Sequence, residues 1–466
     1  MKHYLFFAWL IVLSACKVSK DVQVPDQQLP TAYRSATTTD TASVARLPWK
    51  SFFTETTLQN LIDSAITRNN DLQIAVKNIE SAQLTLRQAR LGNIPTVTLN
   101  VTANTNRPSD NSLNGLSLNQ FLGSKHIEDY TAAAALSWEA DIWGKIRSRK
   151  ASALATYLQT EEARKAVQTQ IVANVSQGYY NLLMLDAQLG VARKNLKLND
   201  STLRIIRLQF DAGQVTSLAV QQAEAQQLAA ARLIPQFEQD ITLQENAISI
   251  LAGKLPDAVT RSSTLDNVPV SATLSAGLPS TLLSLRPDVR SAELAVNRAN
   301  AEVGVAKAGM YPALTITAQG GVNSFRASNW FNIPASLFGT VAGGLTQPLF
   351  QRKQLKTQFE LAKVEREKTI IQFRQQVLLA VGEVADALVR IDKLNQQQTI
   401  AANRARTLRQ ATGNAGLLFK NGLANYLEVI TAQSNVLQSE LELASIKKAQ
   451  LDATVDLYRS VGGGWR

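Results

Sequence analysis

The feature that most constrains the fold is a repeat: the same succession of helix-like and strand-like segments occurs twice in this chain of 466 residues. In each copy a helix-like stretch ends at glycine and proline, and apolar residues then alternate with uncharged polar residues, as in a β-strand ("RLGNIPTVTLN" and "KAGMYPALTIT"). A second strand-like segment follows, and then about seventy residues without proline, which predict a helix of about 100 Å at a rise of ~1.5 Å per residue. Two such copies indicate a tandem duplication.

Each long stretch ends at a glycine that separates it from another helix-like segment. The passages "FDAGQVTSLAVQQAE" (210–224) and "FKNGLANYLEVITAQ" (419–433) have Phe, Gly, Leu, Val and Ala at the same relative positions. We therefore predict two helical hairpins that turn at Gly213 and Gly422, both with positive φ. In this alignment Glu428 corresponds to Ala219, so only the second copy has a carboxylate just after its turn.

The N-terminus is typical of an exported lipoprotein. In "MKHYLFFAWLIVLSAC" a basic start precedes an apolar segment too short to span a bilayer, and small residues precede Cys16. "LSAC" resembles the bacterial lipobox, in which the cysteine is lipidated and becomes the mature N-terminus; an ordinary export signal is the alternative. Cys16 is the only cysteine, so no disulfide can form within the chain.

These patterns divide the chain into six parts. We predict a signal peptide at 1–15, a lipidated tether at 16–55, a first repeat at 56–255, a connector at 256–286, a second repeat at 287–455 and a C-terminal tail at 456–466. The first repeat begins with one coiled-coil-like helix, which Gly92 and Pro95 end and whose apolar residues recur every seven positions (Leu58, Ala65, Leu72, Ile79 and Leu86). A loop rich in Asn, Ser and Gly, which contains His126, joins its two strands.

The predicted fold is mainly α with a small β part, and one chain cannot complete it. Four strands with one apolar face would leave a sheet with two open edges, and long helical hairpins would leave apolar flanks uncovered. Three symmetric copies would supply twelve strands, enough for a transmembrane β-barrel, and would cover the flanks of the hairpins. We therefore expect a trimer.

Composition argues against several functions. The formal net charge is +11, but lysine and arginine are scattered among acidic residues, so we predict no nucleic-acid binding. His3 lies in the signal peptide, which leaves His126 alone for a His-containing catalytic triad, and one cysteine cannot form a Cys/His zinc site. We predict no enzymatic activity, no catalytic residue, no cofactor and no metal site.

Seven short passages, spread over more than four hundred residues, together point to a known family. They are "LSAC", "PWKSFF", the paired strand openings, the midpoint "LRPDVRSAE", which is the most specific, and the two turn passages. With them the whole mature chain resembles the TolC-type outer-membrane efflux channels, and especially their lipoprotein (NodT-like) branch. The resemblance implies a homotrimer with a twelve-stranded barrel in the outer membrane, a twelve-helix tunnel in the periplasm, and a belt made by the connector and the termini.

The resemblance also implies partners. Such channels are passive conduits that receive small molecules from an inner-membrane pump, here expected to be of the resistance-nodulation-division type, through a periplasmic adaptor. The hairpin turns at Gly213 and Gly422 would be the places where the adaptor docks, and outer-membrane lipid would surround the strands. Three methionines, Met1 included, form no sulfur ladder for Cu(I) or Ag(I), which favours organic cargo.

Within this family, polar and acidic side chains just after the second turn form the constriction that keeps the resting channel shut. The corresponding positions here are Glu428 and Thr431, with Asn425 and Tyr426 nearby. Where family members have aspartate, this chain has Glu428 in the second copy and Ala219 in the first. These two departures argue against a gate held by salt bridges. The alternative is that Glu428 is a solvated charge on the outer surface of its hairpin.

One further function is compatible with long helices. A coiled-coil envelope lipoprotein could act as a scaffold without forming a pore. The four alternating segments argue against it, because a scaffold does not need them. A periplasmic hydrolase would lack the usual histidine and cysteine residues.

Overall fold

The computed structural model describes residues 30, 32–33, 43–269 and 275–466. The predicted signal peptide at 1–15, the lipidation site at Cys16 and most of the predicted tether lie outside the described residues. The predicted boundaries of the repeats and of the connector stay predictions, because the structure divides the chain by packing rather than by repeat.

Both halves share a plan of short helices, two strands, a very long helix and a shorter helix, but among the described residues only the first half has an α-helix between its two strands. The first half contains α1 (Trp49–Phe52), α2 (Thr56–Arg68), α3 (Asn70–Arg90), β1 (Thr96–Asn106), α4 (Leu113–Leu122), β2 (Ile127–Ala140), α5 (Lys145–Asp211) and α6 (Ser217–Leu251). The second contains α7 (Leu282–Leu285), α8 (Pro287–Ala308), β3 (Ala313–Ser324), β4 (Leu337–Thr346), α9 (Gln354–Lys420) and α10 (Tyr426–Ser460). The helices α5 and α9 both have 67 residues, and α6 and α10 both have 35. The duplicated plan and the two long hairpins are therefore confirmed.

The expected coiled-coil-like helix of the first repeat is interrupted at Asn69. Four of its five heptad residues are buried and Ile79 is partly exposed, but the stretch forms two helices, α2 and α3. The side chain of Asn69 accepts hydrogen bonds from the backbone N–H groups of Asp71 (2.9 Å) and Leu72 (3.3 Å), as an N-cap does. Its amide also donates to the carbonyl of Leu251 (3.0 Å). A tertiary hydrogen bond thus fixes a break that the heptad pattern does not indicate.

The chain forms two compact units, and their boundaries fall within helices α3, α5, α8 and α9. The first unit contains 80–158 and 294–371, and the second contains 26–79, 159–293 and 372–466. The first unit holds the β-sheet, and the second holds the hairpin turns and the connector.

The sheet of the first unit has the order β1-β2-β3-β4 and is antiparallel throughout. In the centre of the sheet Ala133 of β2 lies opposite Gly321 of β3. A Cβ atom added at Gly321 would lie only 2.1 Å from the carbonyl oxygen of Ala132, so this position requires glycine. β1 and β4 are edge strands, and their apolar side chains are mostly exposed, as at Leu99 (75%) and Val341 (81%). The described part of one chain therefore leaves both the edges and an apolar face uncovered.

Two details of the first unit refine the sequence expectations. The loop expected between β1 and β2 contains a ten-residue helix, α4. Trp143 stacks on Tyr311 at 4.8 Å and donates a hydrogen bond to the carbonyl of Pro312 (2.8 Å). It therefore packs where the strands join the helices.

The motif "LRPDVRSAE" forms a buried charge cluster in the second unit. Arg286 is 4% exposed, and its guanidinium donates to both carboxylate oxygens of Asp288 (3.0 and 2.5 Å). It also donates to Glu383 of α9 (2.8 Å) and to the carbonyl of Ser460 at the end of α10 (3.0 Å). Burial alone would raise the pKa of Asp288, but hydrogen bonds and the charge of Arg286 outweigh burial and hold that pKa below its ordinary value. Arg286 thus joins three helices through one buried side chain.

Candidate functional site

The first hairpin turn lies between α5 and α6. Gly213 has φ +73°, as predicted, and the backbone N–H of the next residue, Gln214, bonds to the carbonyl of Gln209 (2.8 Å). This i to i−5 bond closes the C-terminus of α5 in the way that a left-handed glycine permits. Thr216 precedes α6 in an extended conformation, and its side chain makes no capping hydrogen bond.

The second turn, between α9 and α10, has the same backbone but a different cap. Gly422 also has φ +73°, and Leu423 N–H bonds to the carbonyl of Leu418 (2.9 Å). Here the N-cap is Asn425, whose side chain accepts from the N–H of Glu428 (3.1 Å) and donates to the carboxylate of Glu428 (3.3 Å). The two side chains satisfy each other, and the carboxylate lies in the first turn of α10, where the helix dipole favours a negative charge.

An apolar cluster joins the two hairpins behind these turns. It consists of Leu203 and Ile206 of α5, Ala219 and Ala223 of α6, Phe419 of α9 and Val429 of α10. Ala219 is completely buried, whereas Glu428, at the corresponding position of the second copy, is exposed. Phe419 is 5% exposed, whereas its counterpart Phe210 is 44% exposed. The hairpins therefore pack with different faces: the Ala219 face of the first contacts the Phe419 face of the second.

The four residues predicted for the constriction do not all share one face. Asn425, Glu428 and Thr431 are exposed, and their spacing of three residues places them along one side of α10. Tyr426 is half-buried and packs against the apolar cluster. The structure thus brings Asn425 and Glu428 together, leaves Thr431 one turn further along the same side, and turns Tyr426 towards the other hairpin.

A row of neutral polar side chains between α5 and α10 was not identified from the sequence. Asn195 donates to the carbonyl of Gln433 (3.2 Å), and Gln433 donates to the hydroxyl of Thr202 (2.8 Å). Further along, Gln188 donates to the hydroxyl of Ser445 (3.1 Å). Most of these side chains are buried. Polar residues at helical spacing (188, 195, 199 and 202) were the available signal, and we interpret the row as a hydrogen-bonded seam between the hairpins.

Ion pairs fix the register within each hairpin. In the first, Arg193 pairs with Glu238 (2.8 Å) and Arg207 with Glu224 (3.6 Å). In the second, Arg404 pairs with Glu442 (2.6 Å), and Arg409 pairs with Glu440. Each of these pairs joins the two helices of one hairpin. The first three are about half exposed on both sides, so each of them contributes at most about 1 kcal/mol, whereas Glu440 is mostly buried.

Two kinds of feature are absent from the described ranges. No helix there combines the length and the apolar character that a membrane span requires. In the same part of the chain, no three or more His, Cys, Asp or Glu side chains are grouped so that they could hold a metal ion.

Known proteins resemble the chain over nearly its whole length. The family model described as "Outer membrane efflux protein" matches residues 61–254 and 278–463. The solvent efflux pump outer membrane protein SrpC of Pseudomonas putida is 29% identical over 98% of this chain and 97% of its own. The cation efflux system protein CusC of Escherichia coli O6:H1 is 26% identical over 99% and 98%. The open state of the MtrE outer membrane channel of Neisseria gonorrhoeae superposes with a TM-score of 0.85 at 25% identity, covering 97% of this chain and 99% of that one.

Proposed function

Because this chain belongs to the outer membrane efflux protein family, we propose that it is the outer-membrane channel of a tripartite efflux system and passes small molecules without catalysing a reaction. The observation that carries the proposal is the extent of the match, which includes both repeats and all four strands. A likeness confined to the long helices would also suit a coiled-coil scaffold. The comparisons give that alternative no support.

In this proposal three copies form the channel. Two features of one chain support it: both edges of the sheet are unpaired in the described residues, and apolar side chains of β1 and β4 are exposed. Strands of neighbouring copies would complete the backbone hydrogen bonds and close a twelve-stranded β-barrel, with lipid against its apolar face. The helical hairpins form the periplasmic part, and the lipidated Cys16 anchors each copy to the outer membrane.

The hairpin tips are the proposed docking place for a periplasmic adaptor, which links the channel to an inner-membrane pump of the resistance-nodulation-division type. Apolar side chains at the two tips support this assignment. Leu218, Leu423 and Leu427 lie within five residues of Gly213 or Gly422 and are all more than half exposed. Exposed apolar side chains that form a contiguous patch are typical of protein contact surfaces.

Glu428 and Thr431 are the proposed lining of the constriction, where three copies would form a ring of carboxylates. Glu428 is exposed, and no basic side chain in the described ranges forms an ion pair with it. Its counterpart Ala219 shows that this helical position is apolar when another hairpin covers it. Burying an unpaired carboxylate against another hairpin costs free energy, so Glu428 favours a water-filled position. A ring of three such carboxylates would attract cations to the lumen.

Organic molecules are the proposed cargo. The names of the relatives differ, because SrpC is a solvent efflux protein and CusC a cation efflux protein. The three methionines of this chain give no sulfur ladder for Cu(I) or Ag(I). Growth of a deletion strain on a panel of solvents, dyes and metal salts tests this: hypersensitivity to silver or copper alone would contradict an organic cargo.

The channel itself is tested by planar-bilayer recording with the purified, lipidated protein. We expect discrete conductance steps, and Glu428→Gln should lower the ratio of cation to anion permeability. The matched control is Glu224→Gln, which neutralises an ion-paired carboxylate near the first turn and should leave the ratio unchanged. Absence of channels in the wild-type protein and in Glu428→Ala would refute the channel. Normal channels with equal ratios in all variants would refute only the placement of Glu428 in the lumen.

A further inference from the structure

The second unit contains a cavity that the proposed channel function does not use. It has a volume of about 700 Å³, and its walls come from α5, from connector residues 261–267, and from α9 and α10. Sites for small organic ligands have volumes of roughly 300–1,000 Å³. We call this space the connector cavity.

Two of the four basic side chains that line the connector cavity are held in place by carboxylates. Arg261 donates to Asp186 (2.9 Å), to Glu245 and to the carbonyl of Val259 (2.6 Å), which fixes the connector against α5 and α6. Arg409 pairs with Glu440. These groups stabilise the walls, and their charges are already balanced.

The other two, Lys194 and Lys447, form no ion pair within the part of the chain that the structure describes, but Lys194 is exposed to solvent whereas Lys447 is half-buried. Burial lowers the pKa of Lys447, and the negative charge of Asp266 across the cavity only partly opposes this. The ammonium group has therefore lost hydration without gaining a carboxylate at contact distance. A bound anion would supply what is missing.

Gln398 of α9 contributes a second unmet group. Its side-chain oxygen is buried and has no hydrogen-bond donor among the described residues. The hydrogen bond from Gln450 to Asn395 (2.8 Å) sets the register of α9 against α10. Gln398 lies one helical turn after Asn395 on α9, and Lys447 lies one turn before Gln450 on the antiparallel helix α10. The two side chains therefore lie opposite each other on the cavity wall.

A cation without an anion therefore faces an acceptor without a donor, inside one cavity. We propose that the connector cavity binds a short peptide that carries a carboxylate: the carboxylate pairs with Lys447, and a peptide N–H donates to Gln398. The hydroxyl groups of Ser262, Ser263 and Thr264 at the rim provide further hydrogen bonds for the peptide backbone. Inorganic anions and simple carboxylates satisfy only one of the two unmet groups, because they lack an amide N–H. The inference does not depend on the channel function.

Saturation-transfer-difference NMR with the full-length protein in detergent tests this, since it detects weak ligands of large proteins. The probes are acetyl-Ala-Glu-Ala with free carboxylates, its neutral counterpart acetyl-Ala-Gln-Ala-amide, and acetate. We expect the acidic tripeptide to bind at least about tenfold more tightly than either of the others, since it alone makes both contacts. Equal affinity for the two tripeptides, or for the tripeptide and acetate, would overturn the proposal.

Variants locate the binding. Lys447→Gln should weaken acetyl-Ala-Glu-Ala about tenfold, and Gln398→Leu should weaken it several-fold. The matched control is Lys448→Gln, the adjacent lysine, which pairs with Asp452 (2.5 Å) and does not line the cavity. Asp266→Asn should tighten binding, because it removes the carboxylate that competes for Lys447; this gain cannot result from misfolding. Equal effects of the two lysine substitutions, or weaker binding by Asp266→Asn, would refute the assignment.

Discussion

The duplicated turns allow one position to be tested in two environments. Ala219 and Glu428 are both the third residue of their helices, yet Ala219 is completely buried between the hairpins and Glu428 is exposed. Ala219→Glu would place a carboxylate in the apolar cluster with no basic partner. Burying an unpaired charge and overfilling a packed site together cost about 3–5 kcal/mol, even when local relaxation is allowed. Glu428→Ala removes only one helix-cap hydrogen bond and a favourable charge near the helix N-terminus, about 0.5–1 kcal/mol.

The expected result of Ala219→Glu is local separation of the hairpins rather than global unfolding, because the rest of both hairpins is held by the polar seam and the ion pairs. Hydrogen–deuterium exchange measured by mass spectrometry reports this directly. Peptides that cover 203–223 and 415–433 should exchange at least about 100-fold faster in Ala219→Glu, since about 1.4 kcal/mol corresponds to a factor of ten. In Glu428→Ala the change should stay below about fivefold. The effect of Ala219→Glu should shrink as the pH falls towards about 4.3, the ordinary glutamate pKa, because burial raises the pKa of this carboxyl and favours its neutral form.

The matched control is Ala225→Glu, the same substitution at an exposed position of the same helix. It should leave the exchange of both peptides unchanged. If Ala219→Glu and Ala225→Glu gave equal exchange, the packing of the two hairpins through Ala219 would be refuted. If only the 203–223 peptide responded, the cluster would not couple the two turns.

Three further predictions concern the backbone and the buried charge cluster. Gly422→Ala should destabilise the chain by about 1–2 kcal/mol, because alanine is strained at φ +73° although the space around it is open. Gly190→Ala, inside α5 with open space around it, is the control and should stabilise the chain by about 0.5–1 kcal/mol. Thermal melts of both variants at one scan rate measure the difference. Equal shifts would contradict the left-handed turn. Gly321→Ala should reduce the yield of assembled protein on gel filtration, because the new methyl group would lie 2.1 Å from a backbone oxygen of β2; a normal yield would refute the sheet register. Because the pKa of Asp288 is held below its ordinary value of about 3.9, its pairing with Arg286 stabilises the fold above that pH and is lost as the pH falls through the folded-state pKa. Asp288→Asn should therefore lower the apparent Tm at pH 7, and the difference from wild type should shrink towards about pH 3; a difference independent of pH would contradict the ion pair.

Local patterns in the sequence determined most of the secondary structure. Alternation predicted the four strands, the absence of proline predicted α5 and α9, and glycine predicted the positive φ at both turns, because each of these signals acts within a few residues. The resemblance to a family then supplied the function, since its motifs extend over the whole mature chain. The roles of Glu428, Thr431, Asn425 and Tyr426 remain proposals, because a role in a lumen depends on other copies of the chain.

Only the tertiary structure decided which faces are buried. Phe210 and Phe419 are the same residue at the same place in the repeat, but one is 44% and the other 5% exposed, because only the second contacts the other hairpin of its own chain. The break at Asn69 depends on the carbonyl of Leu251, and the connector cavity depends on four segments far apart in sequence. Periodicity specifies which side of a helix is apolar, but not which partner covers it. Duplication made the two hairpins alike in sequence, and packing made their environments different.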